Sequence, residues 1–421
     1  MEWPTLTTQW FPDKKQYVHI SSFYSECGSL IARVEGTDLA EHRLLFGTNT
    51  SNSQDEYVQI ARIEMPDFGN PNFTKYNGET GEIGGHGEAK RQFKFDIIQR
   101  MRHDGEVNKA RYMPQNPNII ATMSSKATAQ IFDRSKHPLQ PKDNEFCPQM
   151  ILTGHSKEGF GLNWSPHLEG QLATASEDST VCLYDIRAYN KETRHDHKPL
   201  RVFTHHTATV NDVEHHPKHP QWIGTVSDDL TLQIVDTRKA GSDIAAMKTK
   251  AHTDAVNCLA FHPKWETMVA TGSADSSIAL WDLRNLDTKL HSIEAHKNSV
   301  IKLEWHPQDM TILGSGSYDR RINFYDISKA GEEQTAEEAE DGPPELYVHP
   351  CISSNSADMT SRLFMHGGFT TRVSDFSWNL HDEWMIFAAA EDNQIQIFKP
   401  AKAIIYADEL KGKVLMKEIE E

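Results

Sequence analysis

The sequence predicts an all-β fold, a seven-bladed β-propeller, from three observations. First, a double spacing recurs: His155, His206, His252 and His296 are each followed 23 residues later by Asp178, Asp229, Asp275 and Asp319, and seven residues further on by Asp185, Asp236, Asp282 and Asp326. Second, runs such as VNCLAF, MVATGS and SIALWD are short, β-rich and separated by turn residues, with no helical period. Third, the same ruler finds degenerate copies from His103 through Lys126 to Asp133 and from Phe369 through Asp392 to Lys399, and residues 43–66 form a poorer first copy, bringing the count to seven. Four strands cannot bury both faces of their own sheet, whereas a ring of such sheets can.

The elements follow in order. Residues 1–15, with the strand TLTTQWF, are expected to join the last blade and close the ring, leaving no open sheet edge. Residues 16–33 are an atypical insert, and 34–400 hold the propeller. Within it, His252, Ser273, Asp275 and Trp281 are expected to form one network: the turn carboxylate accepts from imidazole and backbone, the hydroxyl bridges, and the indole N–H donates. His155, Asp178, His206, Asp229, His296 and Asp319 hold the equivalent places, so these sets are read as structural and not as catalytic triads. An acidic loop, 331–346 (GEEQTAEEAEDGPPEL), precedes the last blade, a second atypical insert occupies 347–362, and 401–421 read as a short helical tail.

Composition narrows the function. Sixty acids against 43 bases give a formal charge of −17, which disfavours contact with DNA phosphates and favours basic partners. Five cysteines, odd in number and never in a CxxC pair, suggest neither a disulfide framework nor a zinc site, and a reducing compartment fits them. With no run of 18 apolar residues and no signal-peptide pattern in MEWPTLTTQW, the chain reads as soluble and intracellular. GxSxG, HExxH, P-loop and dinucleotide fingerprints do not occur in supporting contexts, so no enzymatic activity, cofactor or metal is expected. The three histidines of EHHPKHP (214–220) fall on a repeat's turn and are not read as a metal site.

The GH, SxD and WD positions resemble those of the WD40 family across about residues 43–400. EWPTLTTQWFPDK, GEVNKARYMPQNPNIIAT, GHSKEGFGLNWSP, ATGSADSSIALWDLRNL and GEEQTAEEAEDGPPEL tighten the match. They resemble the histone-binding WD40 subunits shared by type B histone acetyltransferase, chromatin assembly factor, and deacetylase and Polycomb complexes. The resemblance implies a non-catalytic, chaperone-like scaffold in nucleus and cytoplasm, with histones H3 and H4 and a separate catalytic acetyltransferase chain as partners. It best fits the type B regulatory subunit that presents new histones; service in the other chromatin complexes is the alternative. A ubiquitin-ligase substrate receptor docking through Arg187 and Arg284 is the rival from another class.

Two sites are expected. Surplus length in one loop of a repeat array marks a binding feature. The resemblance implies that this loop, with an N-terminal helix, grips a basic helix of histone H4, with Glu337, Glu338, Glu340 and Asp341 pairing with its cations and Leu346 as an apolar anchor. Separately, residues three and five beyond each blade's histidine hold the same place in every copy and so ring one mouth of the central channel. These include Glu106, Asn108, Glu158, Phe160, Asn211, Asn257, Ile301 and Arg372. In similar proteins this rim holds the H3 tail; Asn211, Ala255, Ser299 and Ile301 are less acidic or aromatic than in those relatives. The stretches 16–33 and 347–362, each with YVH soon followed by ISS and each ending in arginine, read as translated introns, with loop insertions as the alternative. Similar proteins carry a helix before MEWP; without it, and with the insert after Leu346, this chain is expected to bind an H4 helix weakly and an H3 tail normally.

Overall fold

The computed structural model describes residues 7–12, 39–50, 54–66, 76–77, 82–83, 94–141, 145–188, 196–239, 245–294, 296–329, 362–382, 384–392 and 394–400. Seven antiparallel sheets form the blades. Blade 1 holds Thr8–Trp10, Leu39–Gly47, Glu56–Pro66 and Lys94–His103 from channel to rim, and blade 2 holds Val107–Met113, Asn116–Ser124, Ala129–Asp133 and Met150–Leu152. Blades 3 to 7 start at the channel with Gly159–Trp164, Val210–His215, Val256–Phe261, Val300–Trp305 and Val373–Trp378. Blades 3 to 6 have four strands, and blade 7 has three among the described residues. The predicted seven-bladed all-β architecture is therefore observed.

Ring closure differs from expectation. Thr8–Trp10 does not add to blade 7; it pairs with Leu39–Gly47 and becomes the innermost strand of blade 1. The reason is a vacancy: the first copy begins at its second strand, so its channel-lining place is filled from upstream. In that position Trp10, 2% exposed, donates its indole N–H to the Ser377 carbonyl of blade 7 at 3.2 Å and stands edge-on to Phe387. Trp164, Trp305 and Trp378 repeat this bond to the carbonyls of Arg111, Ala260 and Glu304 in the preceding blades. Thr7 meanwhile exchanges hydrogen bonds with Ala110 of blade 2, so one short segment ties blades 1, 2 and 7.

Between blades the core is continuous and apolar: Val226, Leu232 and Ile234 of blade 4 pack with Leu259, Phe261 and Trp281 of blade 5, and Ile322 and Phe324 of blade 6 with Phe376 and Trp378 of blade 7. Burial of such surfaces at about 25 cal/mol/Å² is what makes a ring stable where one blade is not. The acidic stretch runs between the third strand of blade 6, Ile322–Asp326, and its outermost strand, Arg362–His366, so this connection lies within a blade and not between two. The insert read as ending at Arg362 thus shares that residue with the sheet. Residues 331–346, the inserts 16–33 and 347–361 and the tail 401–421 lie outside the described residues, as do Glu337, Glu338, Glu340, Asp341 and Leu346. No helix among the described residues is long and apolar enough to cross a membrane.

Candidate functional site

The His–Asp pairs are built into the blade interiors. His252 shares Nδ1 with Asp275 at 3.3 Å and Nε2 with the Thr271 hydroxyl at 2.8 Å, and the Trp281 indole N–H donates to that same hydroxyl at 2.9 Å. The residue bridging imidazole and indole is therefore Thr271, not the expected Ser273. Strand alternation explains this: Thr271 and Ser273 share a face, but Thr271 sits deeper, opposite the imidazole. Ser273 instead donates to the Ala255 carbonyl at 2.8 Å and accepts the Asp275 N–H at 3.1 Å, tying the turn to the innermost strand. Thr174, Thr225 and Ser315 repeat the bridging place against His155, His206 and His296 at 2.8, 2.8 and 2.6 Å. The signal for them was legible, since a Thr or Ser stands two residues before the serine in ATASED, GTVSDD, ATGSAD and GSGSYD.

The electrostatics agree with locked pairs. His155 is penalised by burial, yet hydrogen bonding to Asp178 raises its pKa to about 9. Asp229 and Asp275, though desolvated, are held well below the usual carboxylate range by hydrogen bonds to His206 and Ser277 respectively. In blade 2, where Lys126 replaces the aspartate, His103 bonds through Nδ1 to the Gly105 carbonyl at 2.7 Å and burial lowers its pKa to about 4. Thr174, Thr225, Thr271 and Ser315 have no exposed surface, so these triads of hydroxyl, imidazole and carboxylate have no route to a substrate.

The channel mouth owes its shape to a repeated irregularity. Each innermost strand of blades 2 to 7 has a register shift just after its first residue, between Val107/Lys109, Gly159/Gly161, Val210/Asp212, Val256/Cys258, Val300/Lys302 and Val373/Asp375. The residues passed over are Asn108, Phe160, Asn211, Asn257, Ile301 and Ser374. A β-bulge leaves its extra residue out of the ladder and re-aims its side chain. All six line a cavity of about 370 Å³ at the mouth.

Their roles separate. Asn108, Asn211 and Asn257 each donate Nδ2 to the next blade's innermost strand, at Gly159 O (3.1 Å), Val256 O (2.9 Å) and Val300 O (2.9 Å), so they staple the mouth as well as line it. Phe160, 38% exposed, and Ile301 supply apolar wall. Glu158 reaches the cavity wall through the Asn108 amide at 3.2 Å, and burial followed by the neighbouring Glu56 and Glu158 carboxylates pushes the Glu106 pKa up. Arg372 stacks on Tyr318, with 4.9 Å from guanidinium carbon to ring centre. The expected rim residues are thus gathered in two tiers: the bulge residues form the cavity wall, while Glu106, Glu158 and Arg372 flank it. Tyr318 and Glu391 also line the cavity, and Asp228 accepts a bond from Asn211 at 2.7 Å; sequence spacing did not single them out.

Other sequence signals are absorbed by the scaffold. His216 accepts the N–H groups of Lys218 and His219 and bonds to the Glu266 carbonyl of blade 5 at 2.8 Å, while His215 bonds to Asn163 at 3.0 Å. Arg187 and Arg284 fold back onto Asp185 and Asp282 of their own blades.

Comparison with known proteins follows the same lines. Residues 1–67 match the family described as histone-binding protein RBBP4 or a CAF1 complex subunit, and residues 146–185, 197–236, 246–282 and 287–326 match the WD domain, G-beta repeat. Histone acetyltransferase type B subunit 2 of Aspergillus fumigatus is 56% identical over 413 residues, spanning 97% of this chain and 87% of the relative. Those of Aspergillus oryzae and Neurospora crassa are 55% identical over 413 residues (97% and 87%) and 54% over 411 (96% and 84%). A WD40 propeller that aligns with such relatives over almost its full length belongs to the family of histone acetyltransferase type B subunit 2.

Proposed function

We propose that this chain is the non-catalytic, histone-binding regulatory subunit of a type B histone acetyltransferase, presenting newly made H3–H4 to a separate catalytic chain in cytoplasm and nucleus. The observation that carries the reading is the identity of 56% across 97% of the chain with a subunit of that name. Two further features support it. The match over residues 1–67 is to a histone-binding family, and the channel mouth groups Glu106 and Glu158 with amide oxygens around a cavity suited to a basic tail. The hydroxyl, imidazole and carboxylate sets are sealed inside the blades, which favours action by binding over chemistry. Net charge of −17 favours basic protein over DNA as the partner. Affinity purification from native cells tests the reading: recovery of H3, H4 and an acetyltransferase chain is expected, and recovery of a ubiquitin-ligase adaptor without histones would overturn it.

A further inference from the structure

Beyond the bulges, alternate residues of the innermost strands face the channel in layers. The first layer includes Lys109, Asp212, Lys302 and Asp375, and the next includes Arg111, Glu214 and Glu304. Lys109 bonds to Asp212 at 2.7 Å and Arg111 to Asp375 at 3.2 Å, which neutralises both cations. Lys302 lines both the mouth cavity and the deeper cavity of about 260 Å³ behind it, yet among the described residues its ammonium has no hydrogen bond or ion pair. A half-buried ammonium without a partner is costly, and the fixed cations beside it add to the positive field.

We propose that Lys302 makes the channel floor an oxyanion site, where a phosphate or carboxylate group entering through the mouth lies against its ammonium. Glu214 and Glu304 do not serve as full counter-charges: burial raises their pKa values to about 8 and about 7, and Glu214 already accepts the Phe261 N–H at 2.9 Å. A protonated carboxyl can instead donate to an oxyanion. The mouth above is lined by acceptors, so a ligand joining basic groups to one acidic group matches both levels of the channel.

Inorganic phosphate is a probe that needs no histone, so this site and the histone reading fail independently. Calorimetric titration of the full chain with phosphate at constant ionic strength should show saturable, about millimolar binding. Lys302→Met should lose at least about tenfold while Lys302→Arg retains it. Without phosphate, Lys302→Met should unfold no earlier than the parent, which separates loss of the site from loss of the fold. A basic peptide with and without one phosphoserine distinguishes the sources. A gain for the phosphopeptide that disappears in Lys302→Met assigns the anion to the peptide, and equal affinities with phosphate binding retained assign it to the free ion. Absence of saturable phosphate binding together with no phosphopeptide gain, or binding unchanged in Lys302→Met, overturns the proposal.

Discussion

Removing the Asp275 carboxylate tests the division between scaffold and site. It accepts five hydrogen bonds: from His252 Nδ1 at 3.3 Å, from Thr253 N and Oγ1 at 3.1 and 3.0 Å, and from Ser277 N and Oγ at 3.0 and 2.6 Å. In Asp275→Ala, Thr253 is exposed and water replaces its lost partner, but His252 is 3% exposed and keeps only the Ser277 hydroxyl at 3.0 Å near Nδ1. One poorly satisfied buried donor and a weakened turn should cost about 2 kcal/mol. For a chain of 421 residues that is a fall in Tm of about 2 °C. Glu158→Ala removes a single bond to Asn108, whose amide keeps Gly159 O, and should change stability by less than about 0.5 kcal/mol. Urea unfolding of the two variants in parallel provides the ranking. If Glu158→Ala proved the more destabilising, the assignment of buried networks to scaffold and mouth residues to binding would be wrong.

Trp10→Ala should cost about 3–5 kcal/mol, because it empties a core position and breaks the bond that joins blade 1 to blade 7; a loss below about 0.5 kcal/mol in denaturant unfolding would place the strand elsewhere. His42, His103 and His306, with pKa values near 4, and His205 and His215, near 3, are held neutral by burial, while the unfolded chain binds protons below about pH 6.5. Stability should therefore drop as pH falls from 6.5 towards 4, whereas the contribution of His155 is full below about 6.5 and is lost as pH rises through about 9; a Tm flat between pH 7 and 5 would contradict this. If Glu338, Glu340 and Asp341 attract a basic histone helix, affinity should decline with salt, and neutralising all three should slow association more than it speeds dissociation; unchanged stopped-flow rates would remove the loop from the mechanism.

The sequence by itself determined the number of blades, their spacing and the mouth positions. His252, Asp275 and Asp282 recur at intervals set by a local strand-turn-strand unit, and a unit confined to about 40 residues writes its period directly into the chain. The fifth residue after each histidine was legible as a mouth residue for the same reason. What placed Trp10 in blade 1 was long-range packing, although QWFP resembles NWSP and EWHP, whose tryptophans make the same bond to a preceding blade. The bulges that turn Asn108, Phe160 and Ile301 into the cavity leave no mark in composition, because they arise from how neighbouring innermost strands converge on the channel. Only that convergence sets Lys109 against Asp212, 103 residues apart, and leaves Lys302 without a partner, since charge pairing across a lumen depends on which side chains reach one another and not on their order in the chain.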